Sequence, residues 1–168
     1  MKKLLLTIGF CVAMLLTACT QEKAEKEPEE FSFKLTWNVF GVSSYDSKTG
    51  ELIKSSDATY PEDYTTSYFL TEEELDEVYE LIMDLDMESY PEEYDPFKGE
   101  MSTPSQTLIL EACIGGEKMI IRAEDISLSD RAGNKKGQKF LDTCDTISRM
   151  LMDTEEWKAL PEYEFLYD

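Results

Sequence analysis

The chain has 168 residues, of which 36 are acidic and 16 are basic, so its formal net charge at pH 7 is −20. A surface of that charge excludes nucleic acid as a partner, because nucleic-acid binding needs a basic footprint. Histidine is absent, which excludes Ser-His-Asp and Cys-His nucleophiles and most zinc sites.

The N-terminus carries the strongest motif. Lys2 and Lys3 precede an apolar run from Leu4 to about Leu16, which is shorter than the roughly 20 residues that span a bilayer but suits a secretory signal. The run ends in Leu16-Thr17-Ala18-Cys19, which resembles the lipobox of bacterial lipoproteins. The resemblance implies cleavage before Cys19 and a diacylglycerol thioether on its sulfur. The alternative is an ordinary signal peptide with a coincidental cysteine.

The same resemblance implies a domain organisation and a location. Residues 1–18 are then a cleaved signal peptide, residues 19–30 a lipidated cysteine with a flexible acidic tether, and residues 31–168 one domain. Acyl chains on Cys19 would hold the protein at the extracytoplasmic face of a bacterial cell membrane.

The charge of the mature chain bears on its partners. Cleavage removes two lysines and no acid, which leaves 14 basic against 36 acidic residues and a net charge of −22. A cationic ligand or an envelope protein with a basic surface is the partner that this charge favours. The other interpretation, which is the favoured one, is that the charge only keeps the domain soluble and away from the lipid.

The first half of the domain predicts a hairpin and a helix. Alternating apolar residues over Phe31–Val39 indicate a half-buried strand, which we expect Gly41 to bend. Residues 45–51 predict a hairpin loop with Gly50 at positive φ, and Leu52 begins a return strand. Residues 57–66 are expected to form a polar loop. Asp46 and Glu51 are potential calcium ligands, but no Asp-x-Asp-x-Asp-Gly motif is present, and no metal or other cofactor is expected.

The first helix has a clear start. Thr71 is the predicted N-cap, Glu74 completes a capping box, and Leu70 precedes them as a hydrophobic staple. We expect this helix to end near Met87, ahead of Tyr90-Pro91.

The second half repeats the order of elements. A strand is predicted over Gln106–Ile114, a turn at Gly115-Gly116, a return strand over 118–123 and a helix over about 139–153. An aromatic tail over residues 157–166 is expected to pack back onto the domain. The loop before the helix holds a basic cluster that either contacts an anionic partner or neutralises local acid, the second being favoured: Arg131, Lys135, Lys136 and Lys139.

These elements predict an α+β fold with two layers: an antiparallel sheet of four to five strands with two helices on one face. A duplicated ββα unit is one explanation of the repeated order. The phrases Tyr90-Pro91-Glu92-Glu93-Tyr94 and Leu160-Pro161-Glu162-Tyr163 support it, and chance recurrence is the alternative.

Aromatic residues in the irregular loops are the candidate binding surface. They are Tyr60, Tyr64, Tyr90, Tyr94 and Phe97. Loops with exposed aromatics often bind partners, but such residues also cap the ends of small cores.

Two cysteines remain once Cys11 is removed and Cys19 is lipidated. Cys113 and Cys144 either form a disulfide or remain free thiols. Cys113 alternates out of phase with the apolar residues of its strand, which favours free thiols.

No catalytic pair stands out among the 36 carboxylates, so no catalytic residue is assigned. The function that the sequence favours is a non-catalytic, lipid-anchored binding or interaction module. One alternative is an envelope enzyme that uses carboxylates with or without a divalent metal. Another is an inhibitor or regulator of a neighbouring membrane protein.

Overall fold

The computed structural model describes residues 30–39, 43–54 and 59–162. The α+β class is confirmed: the described chain forms one open antiparallel sheet of six strands and three helices. The elements in chain order are β1 Ser32–Trp37, β2 Ser43–Asp46, β3 Glu51–Ile53, β4 Thr65–Ser67, α1 Glu72–Leu85, β5 Gln106–Ile114, β6 Glu117–Ile126, α2 Lys135–Met152 and α3 Glu155–Lys158.

The strands lie side by side in the order β4-β3-β2-β1-β5-β6. The sheet exceeds the expected four to five strands for two reasons. β2 overlaps the start of the predicted hairpin loop of residues 45–51, and β4 begins at the end of the predicted polar loop of residues 57–66. The predicted hairpin of β5 and β6 is confirmed, with Gly115 and Gly116 at φ of +58° and +87° in its two-residue turn. Gly50, at φ of +69°, closes the turn between β2 and β3 as expected.

Helix α1 starts where the sequence predicts. The Thr71 side chain accepts the N–H of Glu74, and the Glu74 carboxylate accepts the N–H of Thr71, which completes the capping box. The helix ends at Leu85, two residues before the predicted end, because Asp86 takes a left-handed conformation and Met87 begins a 3₁₀ turn.

Helix α2 starts at Lys135, about four residues earlier than predicted. Asn134 is its N-cap and accepts the N–H of Gly137 through its side-chain oxygen. The tail prediction is confirmed as far as the description reaches: Trp157 of α3 is buried and lies 5.7 Å from Trp37 between ring centroids. The rest of that tail, residues 163–166, lies outside the described residues, as do Gly41 and residues 1–29 with Cys19.

One face of the sheet and the two long helices enclose the core. Alternate strand residues such as Leu35, Leu110 and Ile121 are buried against Ile82 of α1 and Ile147 of α2. The other face of the sheet, which we call the outer face, is turned away from both helices. None of the helices in the described ranges is both long and apolar enough to cross a membrane.

Two hairpins meet in the middle of this sheet, β1–β2 and β5–β6, through the antiparallel pair of β1 and β5. Each is followed later in the chain by a helix of the core layer. The first half carries β3 and β4 in addition, so the ββα duplication stays a prediction.

Candidate functional site

Tyr90, Tyr94 and Phe97 lie in the connection between α1 and β5. Tyr90 and Phe97 are buried and Tyr94 is half-buried. The Tyr94 ring meets the rings of Tyr90 and Phe140 edge-on, at 5.1 and 5.9 Å between centroids. Burial raises the pKa of Tyr90 to about 12, and its hydroxyl donates to the carbonyl of Lys136 at 2.9 Å. These rings fasten the connection to the start of α2.

Tyr60 and Tyr64 flank the 3₁₀ turn that leads into β4. Tyr64 is buried, and its hydroxyl donates to the carbonyl of Glu162 at 2.5 Å. Tyr60 is 60% exposed. Only Tyr60 of the five predicted residues is therefore at the surface.

The expectation of one aromatic surface is corrected by this placement. Tyr60 and Tyr64 are at the β4 edge of the sheet, whereas Tyr94 bonds to β6 at the other edge. Five strand spacings of about 4.8 Å separate the two edges, roughly 24 Å. Tyr64, Tyr90 and Phe97 are buried because each caps an open end of the core, which was the alternative that the sequence left open.

Cys113 and Cys144 are free thiols. Ala112 faces the core, so Cys113, the next residue of β5, faces the outer side of the sheet. Cys144 is buried in α2 on the opposite side, and burial raises the pKa of its thiol. The sheet lies between the two sulfur atoms.

Two members of the basic cluster neutralise the end of α1. Lys136 donates to the carbonyl of Ser89 and lies 4.2 Å from the ring centroid of Tyr90. Lys139 donates to the carbonyl of Asp84 and approaches its carboxylate at 3.0 Å. Because α1 has no basic residue in its own last turn, these cations complement its dipole. This favours local neutralisation over an anionic partner for these two residues.

Arg131 of that cluster lines a cleft of about 730 Å³ between β5, the loop before α2 and α2 itself. Much of the cleft wall is engaged internally. The Gln138 amide donates to the Asp142 carboxylate at 2.8 Å, and Arg149 pairs with Asp145 at 3.0 Å. These contacts pair the polar side chains of α2 with one another, and Arg131 is exposed at the same cleft.

A second cavity, of about 460 Å³, lies between Tyr68, α1 and α3. We call it the acidic groove because four carboxylates line it: Glu74, Asp153, Glu155 and Glu156. Lys158 lies 3.7 Å from the carboxylate of Asp153, which is a loose ion pair. The groove therefore carries a strong local negative charge, suited to cationic groups.

Glu74 and Tyr68 are coupled at the mouth of the groove. Burial opposes ionisation of Glu74, but hydrogen bonds from Thr71 and from the Tyr68 hydroxyl outweigh it and lower the pKa of the carboxyl group. Burial and the bond to Glu74 raise the pKa of Tyr68 to about 12. Glu74 is thus held as a carboxylate.

The acidic groove adjoins β4, which ends the sheet on that side. Two exposed aromatic rings bracket this strand: Tyr60 before it and Phe69, which is 64% exposed, after it. Phe69 lies against the backbone of Gly50, where a Cβ atom would come within 2.9 Å of the ring. We call the strand with Tyr60 and Phe69 the β4 edge, and it is the candidate site.

Sequence reasoning named Tyr60 but missed β4, Phe69 and the acidic groove. The available signal was the run Thr65-Thr66-Ser67-Tyr68-Phe69, whose residues are mostly those that favour strands. The groove gave no sequence signal, because α1 and α3 bring its carboxylates together from positions about 80 residues apart in the chain.

Within the part of the chain that the structure describes, no three acidic or cysteine side chains are grouped closely enough to hold a metal ion. No protein-family model and no curated protein matches the chain. The function is therefore argued from the geometry of the site.

Proposed function

We propose that this protein is a lipid-anchored, extracytoplasmic module that binds another component of the cell envelope without catalysing a reaction. The observation that carries the proposal is the β4 edge, where Phe69 is 64% and Tyr60 60% exposed at the end of an open sheet. Exposed aromatic rings are enriched in protein interfaces, where their large apolar area is buried at a small cost in side-chain entropy.

The lipobox and the tether support the membrane side of the proposal. Residues 20–30 contain only two apolar residues, Ala24 and Pro28, and a coil of that length has a root-mean-square reach of about 18 Å. That reach would let an anchored domain contact a neighbour while its net charge of −22 keeps it off anionic lipid.

The anchor is tested by feeding cells an alkyne-tagged fatty acid and comparing the chain with its Cys19→Ala variant. We expect label on the natural chain and none on C19A. Equal labelling of both would refute lipidation at Cys19.

Binding is tested by in-cell photocrosslinking from a photoreactive residue at position 69. The matched control places it at position 101, because Met101 is 79% exposed and lies in the connection between α1 and β5, away from the β4 edge. A partner captured from position 69 and not from 101 supports the proposal. The same crosslinker is also placed at position 60. The binding proposal is contradicted if neither position 60 nor position 69 gives a specific product. Capture of an integral membrane protein would favour the inhibitor or regulator alternative.

The enzyme alternative gains no support from the acidic groove. A carboxyl that donates a proton in catalysis needs a raised pKa, whereas hydrogen bonds from Thr71 and Tyr68 outweigh burial and lower that of Glu74. The groove suits pairing with basic side chains of a partner better than proton transfer.

A further inference from the structure

We propose that the partner contributes an extended, basic segment that adds to β4 as a seventh strand. This inference rests on the proposed binding function and specifies its surface and the chemistry of the partner. Strand addition to an open edge uses backbone hydrogen bonds for affinity and side-chain pockets for specificity.

The backbone of β4 is arranged for such an addition. Thr66 lies opposite Leu52 of β3. The pairs two residues to either side are hydrogen-bonded: Lys54 N–H donates to the carbonyl of Tyr64, and Tyr68 N–H donates to the carbonyl of Gly50. In an antiparallel ladder, the residues between hydrogen-bonded pairs direct their N–H and C=O groups away from the partner strand. Ser67 occupies such a position, so its N–H and C=O point to the open edge.

The other edge of the sheet is already paired. Tyr94 N–H donates to the carbonyl of Arg122 in β6, and Arg122 N–H donates to the carbonyl of Glu92. Within the described part of the chain, β4 is therefore the edge without a partner strand.

The surroundings of β4 define the side chains of the added strand. Side chains alternate between the two faces of a strand. Phe69 therefore lies on the outer face together with Thr65 and Ser67, whereas Thr66 and Tyr68 lie on the side of the acidic groove. Successive residues of an added strand point to these two sides in turn. Apolar residues would contact Phe69, and basic residues would enter the groove beside Glu155 and Glu156.

The basic character of the partner follows from charge complementarity. Four carboxylates line the groove, with Lys158 paired to one of them at 3.7 Å. Lysine or arginine side chains of an added strand would pair with Glu155 and Glu156, which an acidic or neutral strand would leave without a cationic partner. The pattern that fits is therefore an alternation of apolar and basic residues.

The test uses the full chain in mild detergent and a fluorescent probe peptide of alternating lysine and valine. Its matched control alternates glutamate and valine. We expect binding of the lysine peptide that weakens with salt, because the charges are exposed to screening, and little binding of the glutamate peptide. Equal binding of the two peptides would overturn the basic assignment.

Two variants separate the backbone from the charge. Ser67→Pro removes the outward N–H and leaves the hydrogen bonds to β3 in place. It should lower the affinity for the lysine peptide about tenfold or more, whereas Ser67→Ala should change that affinity little. A double variant, E155Q with E156Q, should also weaken binding, whereas E117Q with E124Q, the same charge change on β6, should not.

A backbone-methylated lysine peptide gives the same test without changing the protein, in case S67P fails to fold. Strand addition is overturned if both the methylated peptide and the folded S67P variant bind normally. It is also overturned if the edge pairs with a second copy, seen as a concentration-dependent dimer that S67P abolishes. The binding function itself fails only if photocrosslinking captures no partner, so the two failures are distinguishable.

Discussion

Replacement of Tyr90 tests whether the aromatic connection is core or interface. Its ring packs at 5.1 Å from that of Tyr94 and 6.2 Å from that of Phe140, and its hydroxyl bonds to the carbonyl of Lys136. Tyr90→Ala should therefore lower stability and leave partner binding by the folded fraction intact.

The magnitude follows from what the substitution removes. Truncating a buried aromatic ring to alanine costs about 3–5 kcal/mol, since the cavity is only partly refilled. Tyr90→Phe removes only the hydroxyl, and the Lys136 carbonyl remains in the helical ladder of α2, so we expect a loss of about 1 kcal/mol. Phe69→Ala should cost less than about 0.5 kcal/mol, because that ring is 64% exposed.

The assay is urea unfolding of the full chain in mild detergent, followed by tryptophan fluorescence. Trp37 and Trp157 are suitable reporters because they are in contact in the core. Y90A should lower the free energy of unfolding and keep the partner that is crosslinked from position 60. F69A should leave the free energy of unfolding almost unchanged and lose that partner. A Y90A protein that is within about 1 kcal/mol of the parent but loses its partner would refute the assignment of Tyr90 to the core.

Three further predictions concern stability. Thr71→Ala should lower the free energy of unfolding by about 1 kcal/mol, because the N-cap of α1 is lost; an unchanged urea midpoint would contradict this. Burial raises the pKa of Glu74, but hydrogen bonds outweigh it and lower that pKa in the folded protein. The ionised Glu74 carboxylate should therefore stabilise the fold fully above pH 4.5, the ordinary pKa of the group, and this stabilisation should be lost as the pH falls toward the pKa of the folded state. E74Q should accordingly flatten the acid side of the stability curve, and a curve parallel to the parent's would argue against it. Gly50→Ala should cost about 1–2 kcal/mol because of its positive φ and the contact with Phe69, whereas Gly133→Ala, with nothing within 4 Å, should not destabilise.

The elements that the sequence predicted correctly are those whose signals are local. The capping box of Thr71 and Glu74 and the Gly115-Gly116 turn were recognisable because each is satisfied by hydrogen bonds and φ angles within a few residues. The alternation of apolar and polar residues along β1 and β5 predicted the sheet and the class of fold in the same way, because a two-residue period of apolar residues is visible in the sequence itself.

The sequence alone also determined the charge, the absence of histidine and the lipobox resemblance, none of which depends on the fold. The start of α2 was misjudged because Lys135 and Lys136 are unusual in a first helical turn. Lys136 is tolerated there because it donates to the carbonyl of Ser89 and lies over the ring of Tyr90. No sequence pattern predicts these long-range contacts.

Only the tertiary structure decided which aromatics are exposed. Tyr60 and Tyr64 share one sequence phrase, yet one is exposed and the other is buried against the chain near Glu162. The β4 edge and its acidic groove depend in the same way on β3, α1 and α3 meeting across the fold. The burial of a side chain, the pairing of a strand and the charge of a groove all depend on contacts between residues that are distant in sequence. Only the fold determines which of those residues become neighbours.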